Sequence, residues 1–141
     1  MQVTLPSLTF DRSLIIHRAA RSVHILWLGK AHTDGDVWVY LPKERVIATG
    51  DALQGWLPYM GDGYPYDWIK TLDAAQKLDF DYTIGGHGDV MRGKAQFELW
   101  KTYLADLMAA TGDAFARGES MKDAEKSVAA QLQPQYTAKF P

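Results

Sequence analysis

Val37-Trp38-Val39-Tyr40-Leu41-Pro42-Lys43-Glu44-Arg45-Val46-Ile47-Ala48-Thr49-Gly50-Asp51 is the stretch that decides the fold. Val37 to Leu41 is a run of β-branched and aromatic residues, and Val46 to Thr49 is a second apolar run of strand length. Pro42-Lys43-Glu44-Arg45 between them has turn composition. The returning strand ends at a glycine and then a carboxylate, Asp51. Both runs are apolar at successive positions rather than at alternate ones, the pattern of strands buried on both faces.

Working outward toward the N-terminus, Ser13 to His17 and Val23 to Leu28 read as two more strands. Arg18-Ala19-Ala20-Arg21 joins them as a hairpin. Toward the C-terminus, residues 52–66 carry Gly55, Pro58, Gly61, Gly63 and Pro65 and read as a long loop. Tyr66 to Leu78 follows with Trp68, Ile69, Leu72, Ala75 and Leu78 at helical spacing. Tyr82-Thr83-Ile84 is a short buried strand that ends at Gly85-Gly86. Lys94 to Ala110 is an amphipathic helix with Phe97, Trp100, Leu104 and Leu107 on one stripe. Ser120 to Leu132 is another, with Ser120 as N-cap and Asp123 three residues on. The tail after Pro134 is expected to be irregular. Repeats and low-complexity segments are absent from the sequence.

This order predicts an α/β fold: one mixed sheet covered by helices, with two C-terminal helices at about residues 94–133. At 141 residues the chain is read as a single domain, 1–141, large enough for a core. It is 47% hydrophobic and 23% charged, as ordinary globular proteins are. A net charge of -2 gives no electrostatic case for nucleic acid or an anionic membrane. There is no cysteine, so disulfides, thiolate metal sites and cysteine nucleophiles are excluded. Met1 to Phe10 lacks the pattern of a signal peptide, and no apolar run reaches membrane-spanning length. Composition leaves the compartment undecided.

Three segments carry candidate chemistry. Ala31-His32-Thr33-Asp34-Gly35-Asp36, Thr49-Gly50-Asp51 and Gly85-Gly86-His87-Gly88 each place one ligand-type side chain among small residues after an apolar run. Imidazole and carboxylate suit zinc, iron or manganese. Taken singly, His32, Asp51 and His87 are each explained as turn residues. Taken in order, with the two strands between the first and second, they form a pattern. That pattern resembles the second half of a metallo-β-lactamase-fold hydrolase, the superfamily that includes glyoxalase II, over roughly residues 9 to 110.

The resemblance implies one half of an αβ/βα sandwich with a dinuclear metal site along one edge. His32 matches a histidine of the first metal, Asp51 the carboxylate that bridges both, and His87 the terminal histidine of the second. A carboxylate in place of cysteine points to the glyoxalase-like and general hydrolase branches rather than the cysteine-containing lactamases. The family's His-x-His-x-Asp-His cluster is not in this sequence. The chain is therefore expected to bind metal weakly or not at all and to be inactive alone. The alternative is a non-enzymatic, self-associating remnant of the same fold.

Other residues carry two readings. Thr33 and Asp36 either orient His32 or stabilise the turn, and the turn role is favoured. Trp56, Tyr59 and Tyr64, with Tyr66 and Trp68 nearby, either grip a small-molecule substrate or anchor the loop. His17 and His24 read as surface or cross-strand residues. A sheet covered on one side leaves its other apolar face in want of a partner. The expected partner is a second copy of the chain, the missing N-terminal half, or the terminal helices folded across the face.

Overall fold

The computed structural model describes residues 4–140; Met1–Val3, part of the stretch inspected for a signal, and Pro141 lie outside the described residues. Strand β1 (Ser13–Arg18) turns through Ala19-Ala20 into β2 (Arg21–Leu26), and Ala19 adopts φ +49° to close the hairpin. Strand β3 (Trp38–Leu41) and β4 (Val46–Gly50) form the expected second hairpin. Arg45 sits at φ +57° at the end of their turn. Its carbonyl accepts the amides of Asp81 and Tyr82, and its guanidinium binds Asp79 and Asp81. Those bonds dock β5 (Tyr82–Gly85) alongside β4.

Helix α1 (Pro65–Gln76) carries the chain from β4 to β5, which run parallel. Pro65 starts the helix, where a missing amide hydrogen costs nothing. Strand β6 (Met91–Arg92) then pairs antiparallel with β5, giving a six-stranded mixed sheet in sequence order. The sequence reading has no counterpart to β6, because two residues carry no periodicity.

Helix α2 (Ala95–Ala116) is longer than the expected 94–110, passing through Gly112. Ala110 and Ala114 are buried, so packing outweighs the local cost of that glycine. Helix α3 (Met121–Tyr136) starts as expected: the Asp123 amide donates to the Ser120 side chain at 3.2 Å. The expectation of an irregular tail after Pro134 is corrected, since α3 continues through Pro134 to Tyr136. The proline forfeits one helical hydrogen bond near the helix end. The ring of Tyr136 packs on Tyr103 and Phe140, and its hydroxyl donates to Asp106 at 2.5 Å. That cluster holds the last turn.

Cross-strand partners share a face, so the register sorts the sheet into two sides. Ile15, His24, Tyr40, Ile47, Thr83 and Met91 line up on one side, with Leu26 and Trp38 in the next row. The helices cover that side. Trp38 meets Phe97 at 6.4 Å, Trp68 meets Trp100 at 5.4 Å, and Tyr40, Ile47, Leu72 and Leu104 are buried there. The opposite side carries the row Leu14, Ile25, Val39, Ala48 and Ile84. Beside it lie Ile16 paired with Val23, and Leu41 with Val46 and Tyr82, whose partner Arg92 lays its guanidinium over the Tyr82 ring at the edge of the row. None of these is buried, and Ile16, Tyr82 and Ile84 are 42%, 41% and 46% exposed. Among the described residues nothing covers this apolar face. Among them also, no helix is long and apolar enough to cross a membrane.

Candidate functional site

Strands β4 and β5 are parallel, so their C-terminal ends lie side by side, and each ends in a glycine turn. Asp51 leaves β4 and His87 leaves β5. The Gly86 amide donates to the Gly50 carbonyl at 2.8 Å and ties the turns together. A Cβ on Gly86 would lie 2.0 Å from Asp51 Oδ1, so only glycine lets the carboxylate stand there. Gly88 takes φ +85° and lies against Gly55, whose amide donates to the His87 carbonyl at 3.0 Å. The result is a pair: Asp51 Oδ1 is 3.4 Å from His87 Nε2, with both side chains partly open to solvent. The Trp56 ring stacks on the His87 ring at 5.2 Å.

His32 is held by a different set of contacts. The Tyr64 amide donates to the Ala31 carbonyl and Thr71 Oγ1 donates to the Lys30 carbonyl, so α1 fixes the segment that follows β2. The His32 ring lies edge-on to Trp68 at 5.9 Å and tilted to Tyr59 at 6.4 Å. Trp68 also donates its indole N–H to the Ala52 carbonyl at 2.8 Å, beside Asp51. A buried indole thus spans the His32 and Asp51 segments. Thr33 donates both its amide and its hydroxyl to the Asp36 carboxylate at 2.9 Å, and its hydroxyl accepts from Gly35. These bonds stay within the turn.

The structure therefore brings Asp51 and His87 together and leaves His32 packed on aromatic rings. Among the described residues no group of three His, Cys, Asp or Glu side chains converges to hold a metal ion. Zinc sites need three or four protein ligands. Among the described residues the Asp51–His87 pair alone offers fewer donors than such a site uses.

The aromatic candidates divide. Trp68 is fully buried and belongs to the core. Tyr64 lies under the Lys30 ammonium at 4.5 Å, at the start of α1. Trp56 and Tyr59 are 50% and 67% exposed and sit beside His87 and His32 respectively. His24 lies edge-on to Tyr40 at 5.8 Å and shares a 3.1 Å bond with Ser22; His17 pairs across the strand with Ser22.

A small cleft of about 450 Å³ adjoins the pair, lined in part by Trp56, Gly88, Asp89, Gln96 and Lys139. Asp89, Gln96 and Lys139 escaped the sequence reading. Asp89 is signalled only by its place two residues after His87, and Lys139 by nothing, because the turn that carries it exists through tertiary packing. A larger apolar groove of about 960 Å³ runs between α2 and α3, and none of Asp51, His87 or His32 lines it.

A mixed sheet with helices on one side, carrying a histidine–carboxylate pair at parallel strand ends, is an α/β architecture with one polar edge. The comparisons agree. The model of the metallo-beta-lactamase superfamily matches residues 23–87, which includes His32, Asp51 and His87. The metallo-beta-lactamase type 2 of Elizabethkingia meningoseptica is 28% identical over 87 residues, covering 57% of this chain and 35% of that protein. A metallo-beta-lactamase from Pontibacter korlensis superposes with a TM-score of 0.66 at 18% identity, over 72% of this chain and 50% of that one. The DIM-1 metallo-beta-lactamase superposes with a TM-score of 0.54 at 22% identity, over 59% and 41%. At those identities the two superpositions speak for the fold. Over residues 23–87 the chain is similar to the metallo-β-lactamase superfamily. It spans about a third to a half of the length of these relatives.

Proposed function

We propose that this chain supplies one half of a divalent-metal hydrolase site and is catalytically silent by itself. The observation that carries the reading is the Asp51–His87 pair, 3.4 Å apart at the ends of adjacent parallel strands, with no third ligand among the described residues converging on it. The superfamily supplies the reaction class, hydrolysis. The chain's own contribution is to hold a carboxylate and an imidazole at one open edge, with Trp56 stacked behind the imidazole. Asp51 in place of a thiolate supports a glyoxalase-like or general hydrolase branch. The exposed rings of Trp56 and Tyr59 support contact with a small-molecule substrate at that edge.

Equilibrium dialysis against zinc, iron and manganese, followed by elemental analysis, tests the reading. Less than one metal per chain is expected, with turnover of thioester, phosphodiester and lactam substrates near background. Two tightly held metals per chain would sink it. So would robust turnover that disappears in Asp51→Ala and His87→Ala. A second reading, a non-enzymatic self-associating module, is favoured by one observation: the uncovered apolar face of the sheet.

A further inference from the structure

We infer that the groove between α2 and α3 is a binding site for an uncharged apolar small molecule that carries one hydroxyl or carbonyl oxygen. Three observations carry this.

The first is shape. Tyr103, Leu107, Thr111 and Phe115 recur every four residues on α2 and so form one stripe along the groove. The stripe spans about 18 Å of helix. Val128 and Leu132 on α3 line the opposite wall, and Leu57 from the loop after β4 adds to the lining. The volume of about 960 Å³ lies at the upper end of the roughly 300–1,000 Å³ that small-molecule sites occupy. The groove is thus concave and bounded by three segments, unlike the open face of the sheet.

The second is a buried hydroxyl without a partner. Tyr103 is 8% exposed, yet among the described residues no group hydrogen-bonds its hydroxyl. Tyr136 meets the Tyr103 ring edge-on at 5.0 Å but gives its own hydroxyl to Asp106. Burial pushes the Tyr103 hydroxyl above its ordinary range. At neutral pH it is therefore an uncharged phenol that donates or accepts. A buried polar group left unpaired is costly, and an oxygen delivered by a ligand removes that cost.

The third is charge. The mouth of the groove lies at the α2–α3 turn, where Phe115 and Met121 are 85% and 90% exposed. Glu119 and Glu125 line the groove at that end. Glu119 is paired with Arg117 at 2.7 Å, and Glu125 has no ion-pair partner among the described residues. At the deep end the Asp106 carboxylate accepts from Tyr136. Arg117, Lys122 and Lys126 do not line the groove. Lys139 lies over the Tyr136 ring at 4.8 Å but lines the small cleft beside Trp56 instead. A fatty-acid anion would meet a carboxylate at either end, whereas an uncharged ligand would not be repelled. Every lining residue except Leu57 falls outside the span 23–87 that matches the superfamily model. The site therefore stands apart from the hydrolase reading, and its readout needs neither metal nor turnover.

A proton–nitrogen NMR titration of the chain with decanol, and with decanoate as its charged counterpart, tests the inference. Shifts should gather on the α2 and α3 amides, and decanol should bind at least tenfold more tightly than decanoate. Ala129 is exposed and part of the lining, so it can be enlarged without entering the core. Ala129→Trp should weaken decanol binding at least tenfold with the circular dichroism unchanged. Tyr103→Phe keeps the ring and should weaken it several-fold. Glu125→Gln should narrow the gap between the two ligands several-fold. Absence of localised shifts with decanol overturns the inference. So do shifts that gather on the open sheet face around Val39 and Ile84 and ignore Ala129→Trp. Equal affinity for decanol and decanoate overturns it as well.

Discussion

The two faces of one sheet differ in a way that no single strand reveals. On the covered face Trp38, Ile47 and Thr83 are fully buried under α1 and α2. On the open face their sequence neighbours Val39, Ala48 and Ile84 are just as apolar, and none is buried. The alternation of side chains along each strand makes the difference, because successive residues point to opposite sides. Apolar character on both faces thus specifies a sheet meant to be enclosed, of which this chain encloses one side.

The sharpest test of that contrast is Trp68→Ala against Ile84→Ala. Trp68 is fully buried and donates to the Ala52 carbonyl, so its truncation should cost about 3–5 kcal/mol in chemical denaturation. Ile84 is 46% exposed, and its truncation, measured on dilute protein, should cost less than about 1 kcal/mol. Equal losses would erase the distinction between the faces.

Gly86→Ala probes the strand ends where the two faces meet. The added methyl overlaps Asp51 Oδ1 and approaches the Gly50 backbone, so a loss of about 1–3 kcal/mol is expected. The Asp51 and His87 resonances should move together in the NMR spectrum of the variant. An unchanged spectrum would mean that the turn yields without disturbing the pair.

Tyr136→Phe tests the outer edge of the covering layer. Burial, then the hydrogen bond to Asp106, raises the Tyr136 hydroxyl from 10.0 to about 12. A raised value in the folded state means that the contribution is fully present below pH 10 and is lost as pH rises toward 12. Near neutrality the variant should lose about 1 kcal/mol, the net worth of a hydrogen bond. The gap should close across that alkaline window. A gap that stays constant with pH would assign the loss to packing alone.

Arg45→Met should give the smallest effect. Hydrogen bonds from Arg45 hold the Asp79 and Asp81 carboxyls below their ordinary range. A lowered value stabilises the fold above the ordinary aspartate range, and that contribution fades as pH falls through the lowered value. All three groups are exposed, so the benefit is slight. Acid titrations of the wild type and the variant should diverge only above that window and converge below it.

The strands of residues 13–50 were legible because their apolar runs are bounded by clear turns. The glycines around Asp51 and His87 were legible because close backbone approach leaves few other choices. Other features were decided by contacts that the sequence hides. The Tyr103–Tyr136–Phe140 cluster carries α3 past Pro134. The rings of Trp68 and Tyr59 claim the His32 imidazole, so a residue that fits the family motif in order does not join the other two in space. Asp89, Gln96 and Lys139 meet beside Trp56 only once β6 and the tail are placed.

The parallel pairing of β4 with β5 sets the timing of events along the folding path. Both hairpins close between residues adjacent in sequence, whereas β4 meets β5 only after the whole loop and α1 have been ordered. Contacts between distant parts of a chain form late, because the loss of chain freedom precedes their reward. The meeting of Asp51 with His87 is then among the last acts of folding. The indole of Trp56, stacked on that imidazole, makes it a visible one. In stopped-flow refolding the fluorescence difference between the wild type and Trp56→Phe, which separates this indole from the other four tryptophans, should settle after the circular dichroism of the sheet, and simultaneous changes would show that the sheet and its working edge arise in one step.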